Sequence, residues 1–296
     1  MGIALFGRVW ELEIGPAGGQ GRIWQGSPQN GLRIEAKVEK TGSSTPNKLT
    51  LSILNLSPDS RHWIEGYDPN TWAIRLSAGY QAEGPRLIFT GNLALASSDK
   101  GTLSLASGKA LSSMSKRQGP DWITSLEGRD GLRAYKAVVL SKTLAKGVSE
   151  EAVVREVAKA MGVTIGKLQG FPKGAKFDRG RTLCGAASAE LDSLCKTHSL
   201  RWSIQDGVLQ ILPVATALGS IATVLSASSG LISSPERTET GVKVTSLMRP
   251  DLNPGSLIEV QAKDLSGLYV AENVTHDLDS YEQRWYSAID AVRPAT

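Results

Sequence analysis

Between Ala187 and Pro213 the hydrophobic period of the chain switches from that of a helix to that of a strand, and few arrangements satisfy both halves. Ala187, Leu191, Leu194, Cys195 and His198 recur at steps of three and four, which places them on one face of a helix. After Ser199 the period is two. Asp206-Gly207 predicts a type I′ turn, because both central residues of that turn need positive φ. Pairing outward from it sets Gln205 against Val208, Ile204 against Leu209, Ser203 against Gln210 and Trp202 against Ile211. One face of the hairpin is then Trp202, Ile204, Leu209 and Ile211. Neither the helix stripe nor the hairpin face can bury itself, so each is expected to cover the other.

The two flanks read differently from this centre. Upstream, Leu32, Ile34, Ala36 and Val38 alternate with Arg33, Glu35, Lys37 and Glu39, a strand with one dry and one wet face. Leu49, Leu51 and Ile53 return, and Ser57-Pro58 starts a short helix through Arg61 and Trp63 with a serine cap and proline at its first position. Trp72 to Ala78, Leu87 with Phe89, Leu93 with Leu95, and Leu103 with Leu105 continue the alternation. Five or six such strands predict a small barrel or curled sheet. Downstream, Ser226 to Glu236 reads as a linker or crossing loop. Val242 with Val244, Leu257 to Ala262, Leu268 to Val274 and Trp285 to Ala291 are strands.

At 296 residues the chain is long enough for two or three domains. The expected fold is β-rich α+β: a barrel-like domain at 1–107, a mixed α/β domain at 108–218 and a second barrel-like domain at 219–296. In the middle domain, Ser149 caps a helix whose first turn carries Glu150 and Glu151. Val153 and Val157 form its buried stripe, and Gly162 stops it. Residues 162–180 read as a basic loop.

Charged residues make up 21% of the chain and its net charge is +4, too small an excess to argue for nucleic acid or membrane binding. No run of 18 apolar residues occurs, so no membrane-spanning helix is expected, and the N-terminus lacks the pattern of a secretory signal. Cys184 and Cys195, placed on one helix, would stand about 16 Å apart, too far for a disulfide. Both are expected as reduced thiols.

A catalytic reading finds no support. His62, His198 and His276 lie in separate segments without metal-ligand spacing, and no Gly-x-Ser-x-Gly elbow is present. Glu150 and Glu151 point about 100° apart on a helix and serve as first-turn acids rather than as an acid/base couple. The glycines between Ile14 and Leu32 fit neither a dinucleotide fingerprint nor a P-loop. That stretch reads as a mobile or partner-ordered loop rather than a ligand site, with Trp24 a candidate assembly contact, since aromatics are enriched at interfaces. No catalytic, cofactor-binding or metal-binding residue is assigned.

The order of several segments carries a resemblance. WELEIG, GLRIEAKVEKT followed by PNKLTLSILNLSP, AGY with LIFTGNL, DWITSLEGRDG, LRWSIQDGVLQILP, SGLISSPE and MRPDLNPG with VTHDLDSYEQRWYSAIDA extend from Trp10 to Ala291. In this order the chain resembles the baseplate and tail hub proteins of tailed bacteriophages, the superfamily of the late control D proteins and of type VI spike hubs. The resemblance implies a virion structural protein made in the host cytoplasm. It implies a homotrimer joining a sixfold tail tube to a threefold tip spike, around a channel that passes the tape measure protein and then DNA, without sequence-specific contact or membrane insertion. Trp10 and Trp24 are the candidate assembly contacts. The competing readings are a cell-wall hydrolase or carbohydrate-binding tail-tip module, and the hub of a bacterial contractile secretion spike.

Overall fold

The computed structural model describes residues 6–68, 71–94, 115–118, 121–136, 138–172 and 174–295. The expected strand residues Leu95, Leu103 and Leu105 lie outside that set. The first strands are β1 (Arg8–Pro16), β2 (Arg22–Gly26), β3 (Ile34–Thr41) and β4 (Lys48–Leu54). Helix α1 (Pro58–Glu65) follows, then β5 (Trp72–Tyr80), β6 (Gly84–Ala94), β7 (Ser115–Gln118) and β8 (Asp121–Arg129). The middle of the chain comprises α2 (Leu132–Lys136), β9 (Val139–Leu144), α3 (Glu150–Met161), β10 (Thr164–Leu168), β11 (Arg181–Ala186), α4 (Ala187–Thr197), β12 (Leu200–Gln205) and β13 (Val208–Pro213). It ends with β14 (Ala222–Ser226), β15 (Glu236–Arg237), β16 (Gly241–Leu247), β17 (Leu257–Gln261), β18 (Ser266–Asp279) and β19 (Trp285–Val292).

The first and last groups form one 14-stranded sheet in the order β15-β16-β19-β18-β3-β4-β8-β6-β5-β1-β2, with β7 on β8 and the β14-β17 pair on β18. Their seam is the antiparallel pair of β18 with β3, from Asn273↔Thr41 to Asp279↔Glu35. The fold is β-rich, with one large sheet, two small ones and few helices, and no closed barrel is found among the described residues. Alternation explains the strands: β3 and β4 bury Ile34, Ala36, Val38, Leu49, Leu51 and Ile53 on one face.

Three hydrophobic clusters hold the chain. The first gathers β1, β3–β6 and α1, and also takes Met248, Leu278 and Trp285 from the C-terminal strands. The second packs α3 and α4 on the β12–β13 hairpin through Val157, Leu191, Leu194, Trp202 and Ile211. The third lies among the C-terminal strands, with Val242, Ile258, Val274 and Ile289.

The central helix and hairpin form as their periods require. Register runs from Gln205↔Val208 to Trp202↔Ile211, and Asp206 and Gly207 have φ of 53° and 80°. The Ser57 and Ser149 side chains accept the amides of Ser60 and Ala152, and Gly162 ends α3 in the left-handed region at φ 68°. Two segments read as loops are strands. Residues 22–26 pair with β1 in a hairpin, and residues 164–168 run parallel to β13. The two cysteines sit on different elements, Cys184 exposed on β11 and Cys195 buried on α4. Burial pushes the Cys195 thiol up to about 12, so it stays protonated.

Candidate assembly site

The tip of the central hairpin is where the three parts of the chain meet. Asp130, only 1% exposed, accepts the amides of Asp206 at 2.6 Å and Gly207 at 3.2 Å, one on each carboxylate oxygen. Asp206 in turn accepts the Thr90 amide from β6 and the Lys40 ammonium from β3, at 3.2 and 2.7 Å. Lys40 also donates to Asn253 of the C-terminal part at 2.8 Å. Beside it, Asn47 donates to Gln205 Oε1 at 2.9 Å, and Gln205 donates to the Thr41 carbonyl at 2.7 Å. Arg201 and Glu272 add an ion pair at 2.9 Å between β12 and β18.

The charges at this junction are deeply placed. Burial, followed by the neighbouring Asp206 charge, pushes the Asp130 carboxyl up to about 7, against the pull of the two turn amides and Lys40. His276 is fully buried on β18, with Nδ1 2.9 Å from Ser287 Oγ. Burial, reinforced by the Lys40 charge, pushes it down to about 3, so it is neutral. Groups held this tightly fix geometry: replacing either partner leaves the other charge or donor buried without its mate.

Trp10 and Trp24 lie near each other on paired strands, since Trp10 faces Gly26 and Leu12 faces Trp24. Trp10 is 2% exposed and part of the first core. A side chain at Gly26 would meet its indole at 2.1 Å, which explains glycine at that strand end. Trp24 is half-buried and begins an aromatic row in which its ring centroid is 6.3 Å from that of Trp63, itself 4.5 Å from Trp72. Arg22 stacks on Trp63 and pairs with Asp59 at 2.7 Å.

His198 caps α4 with Nε2 2.8 Å from Glu150 Oε2, so the acid of the α3 first turn also joins the two helices. Among the described residues no group of three or more His, Cys, Asp or Glu gathers as a metal site would need. No helix among them is long and apolar enough to cross a membrane.

Charge is unevenly divided along the sequence. Residues 108–218 hold 17 Lys and Arg against 10 Asp and Glu, whereas residues 219–296 hold 6 against 10. In the outer parts many cations are paired, as Arg33 is with Asp279 and Glu282 and Arg284 with Asp277. The middle part is the basic one.

The model of the family described as baseplate hub gp41 matches residues 22–291. This chain belongs to the baseplate hub gp41 family. Membership points to a structural role in a phage tail rather than a catalytic one. Among solved structures, the 43 kDa tail protein of prophage MuSo2 from Shewanella oneidensis superposes with a TM-score of 0.61 at 11% identity, over 96% of this chain and 98% of that one. A tail protein from Neisseria meningitidis MC58 gives 0.56 at 11% identity, over 96% of each chain. The E. coli c3393 protein, a component of the type VI secretion system, gives 0.50 at 12% identity, over 90% of this chain and 73% of that one. At such identities the likeness is one of fold. No curated protein matches the chain.

The three-way junction of this chain leaves one signal in the sequence. Lys40 has the parity of Ile34, Ala36 and Val38, and Asn47 that of Leu49, Leu51 and Ile53, so both polar residues fall on a dry face.

Proposed function

We propose that this chain is the structural hub of a phage baseplate, a homotrimer joining a sixfold tail tube to a threefold tip spike around the channel for the tape measure protein and DNA. The observation that carries the reading is the β3–β18 seam, which sets two strand groups side by side in one sheet while the middle part is bonded to both. Three chains, each offering two such units in fixed relation, supply six positions around a ring and close it. The strands through β8 take the role of first ring unit, the part from α2 to β13 that of spacer and the strands from β14 to β19 that of second ring unit. Edge strands β2 and β15 are then available for pairing between neighbours. Trp24, at the β2 edge, is a contact in that ring, and Trp10 supports the strand from beneath.

A channel that passes DNA must avoid many phosphate contacts, each of which adds affinity and drag. The paired charges of the two outer parts suit that task better than the basic middle part. Light scattering on the purified chain, alone and with its spike, tests the assembly. A mass three times the 31.5 kDa chain is expected, and a strict monomer even with spike present overturns it.

A further inference from the structure

The ribbon made by β9 and β11 stands apart from the large sheet and has two strands only. Its register pairs Val139 with Ala186, Ser141 with Cys184 and Thr143 with Thr182. These six side chains share one face, and all are exposed, Val139 by 75%. The face carries no charge and no large ring. The other face, with Leu140 and Leu183, is buried on the second core.

The hydrogen-bond phase of the ribbon follows from the Ala187 amide, which donates to the Val138 carbonyl at 3.0 Å. That makes 138 and 187 a bonded pair, so 140, 142 and 144 bond to β11, while the main-chain groups of Val139, Ser141 and Thr143 point away from it. No third strand among the described residues takes them. On the opposite edge β11 runs directly into α4 at Ala186, which interrupts its free row. β9 is thus the edge with a full row of unused donors and acceptors. Two-stranded sheets are marginal by themselves and gain from a third strand.

Cations flank the ribbon at both ends. Arg133 and Lys136 lie on α2 just before β9; Lys146 follows its end, and Lys176 and Arg179 flank the stretch at Phe177 whose main chain bonds to Gly147 and Val148. All five are exposed, and none forms an ion pair with a described residue. Nearby acids are fewer: Glu156 is occupied by Lys142 and Glu150 by His198, leaving Asp178 and Glu151 at that end. An extended segment on β9 spans roughly 20 Å over six residues and brings its own two ends near these cations.

We infer that β9 accepts, by strand addition, an acidic extended segment of another protein chain. Main-chain bonds to Val139, Ser141 and Thr143 hold the segment, the small side chains of the exposed face let its residues lie flat, and the flanking cations select acids.

The test uses the full chain and a fluorescent peptide of alternating Thr and Glu, read by anisotropy. Binding is expected, weakened about tenfold or more by Ser141→Pro, since each main-chain bond lost forfeits on the order of tenfold in affinity. Proline is tolerated on an edge strand where the amide faces outward, so the thermal midpoint of that variant should hold. The same peptide N-methylated on its protein-facing amides needs no variant and should also lose binding. A Thr-Lys peptide should bind at least tenfold more weakly. Equal binding of the methylated and unmethylated peptides, or of the Thr-Glu and Thr-Lys peptides, overturns the proposal. So does a duplex DNA probe that binds while the Thr-Glu peptide does not. Thiol labelling of Cys184 should be fast in the isolated chain, and protection there would assign the face to a second copy instead. A monomeric chain that still binds the peptide separates this inference from the trimer.

Discussion

The Lys40 ammonium meets the Asp206 carboxylate at 2.7 Å, joining the polar end of a dry strand face in the N-terminal sheet to the tip of the central hairpin. The Lys40 side chain is 1% exposed and that of Asp206 22%, so this pair is little screened by solvent. Asn253 completes the contact from the C-terminal part. One side chain therefore ties three stretches of the sequence together.

Lys40→Met keeps the length of the side chain and removes its charge. Asp206 and Asn253 then lose their partner in a closed site, and breaking a buried pair in this way costs about 3 kcal/mol. Urea unfolding should show a lower midpoint. If the parts separate, the transition should also broaden or split. A midpoint equal to that of the parent chain would show that the clasp contributes nothing.

Gly26→Ala tests the packing at the β1–β2 hairpin. The added carbon would sit 2.1 Å from Trp10 Nε1, and Trp10 lies in the core with little room to turn. Overpacking of this kind costs about 1–3 kcal/mol. A lower thermal midpoint is expected, and the double variant Gly26→Ala, Trp10→Phe should recover part of it.

Local chemistry was readable from the sequence wherever it settles the geometry without help. The Asp206-Gly207 turn sets the register of β12 on β13, and Ser57, Ser149 and Gly162 mark their helix ends through bonds within a few residues. The Gly-rich stretch at 15–31 misleads because its glycines answer to tertiary contacts: Gly26 makes room for Trp10, and Gly21 packs on the Ile14 carbonyl. Strand β10 misleads for a similar reason, since parallel pairing with β13 needs a partner some 40 residues away and no turn announces it. The junction combines both cases. Parity placed Lys40 and Asn47 on a buried face, but their partners Asp206, Asn253 and Gln205 come from distant segments.

Asp130 should give the protein a stability term that grows as pH falls. Its folded value of about 7 lies above the unfolded value of about 3.8, because burial and Asp206 disfavour its charge. Between those values the folded chain holds a proton that the unfolded chain has released. Stability from this group therefore falls as pH rises through the window and is level above it, with a slope of at most about 1.4 kcal/mol per pH unit. Asp130→Asn has no such proton. The difference in unfolding free energy between parent and variant should shrink from pH 4.5 to 7, and a constant difference would contradict the assignment.

His276 supplies the opposite slope. Its folded value of about 3 lies below the unfolded value of about 6.5, because burial and the Lys40 charge disfavour the imidazolium. Above about 6.5 both states are neutral and the contribution is complete; as pH falls toward 3 the unfolded chain takes up a proton that the folded chain refuses, so stability declines. Between about pH 4 and 6.5 the Asp130 and His276 slopes are of similar size and opposite sign, and together they nearly cancel. Removing either should expose the other. His276→Gln keeps a polar group beside Ser287 and should make the chain gain stability, relative to the parent, as pH is lowered through this window; Asp130→Asn should make it lose stability. Urea midpoints for the three chains across pH 4.5–7 decide the matter. Relative slopes of the same sign in both variants would mean that the two buried groups do not titrate as their surroundings dictate.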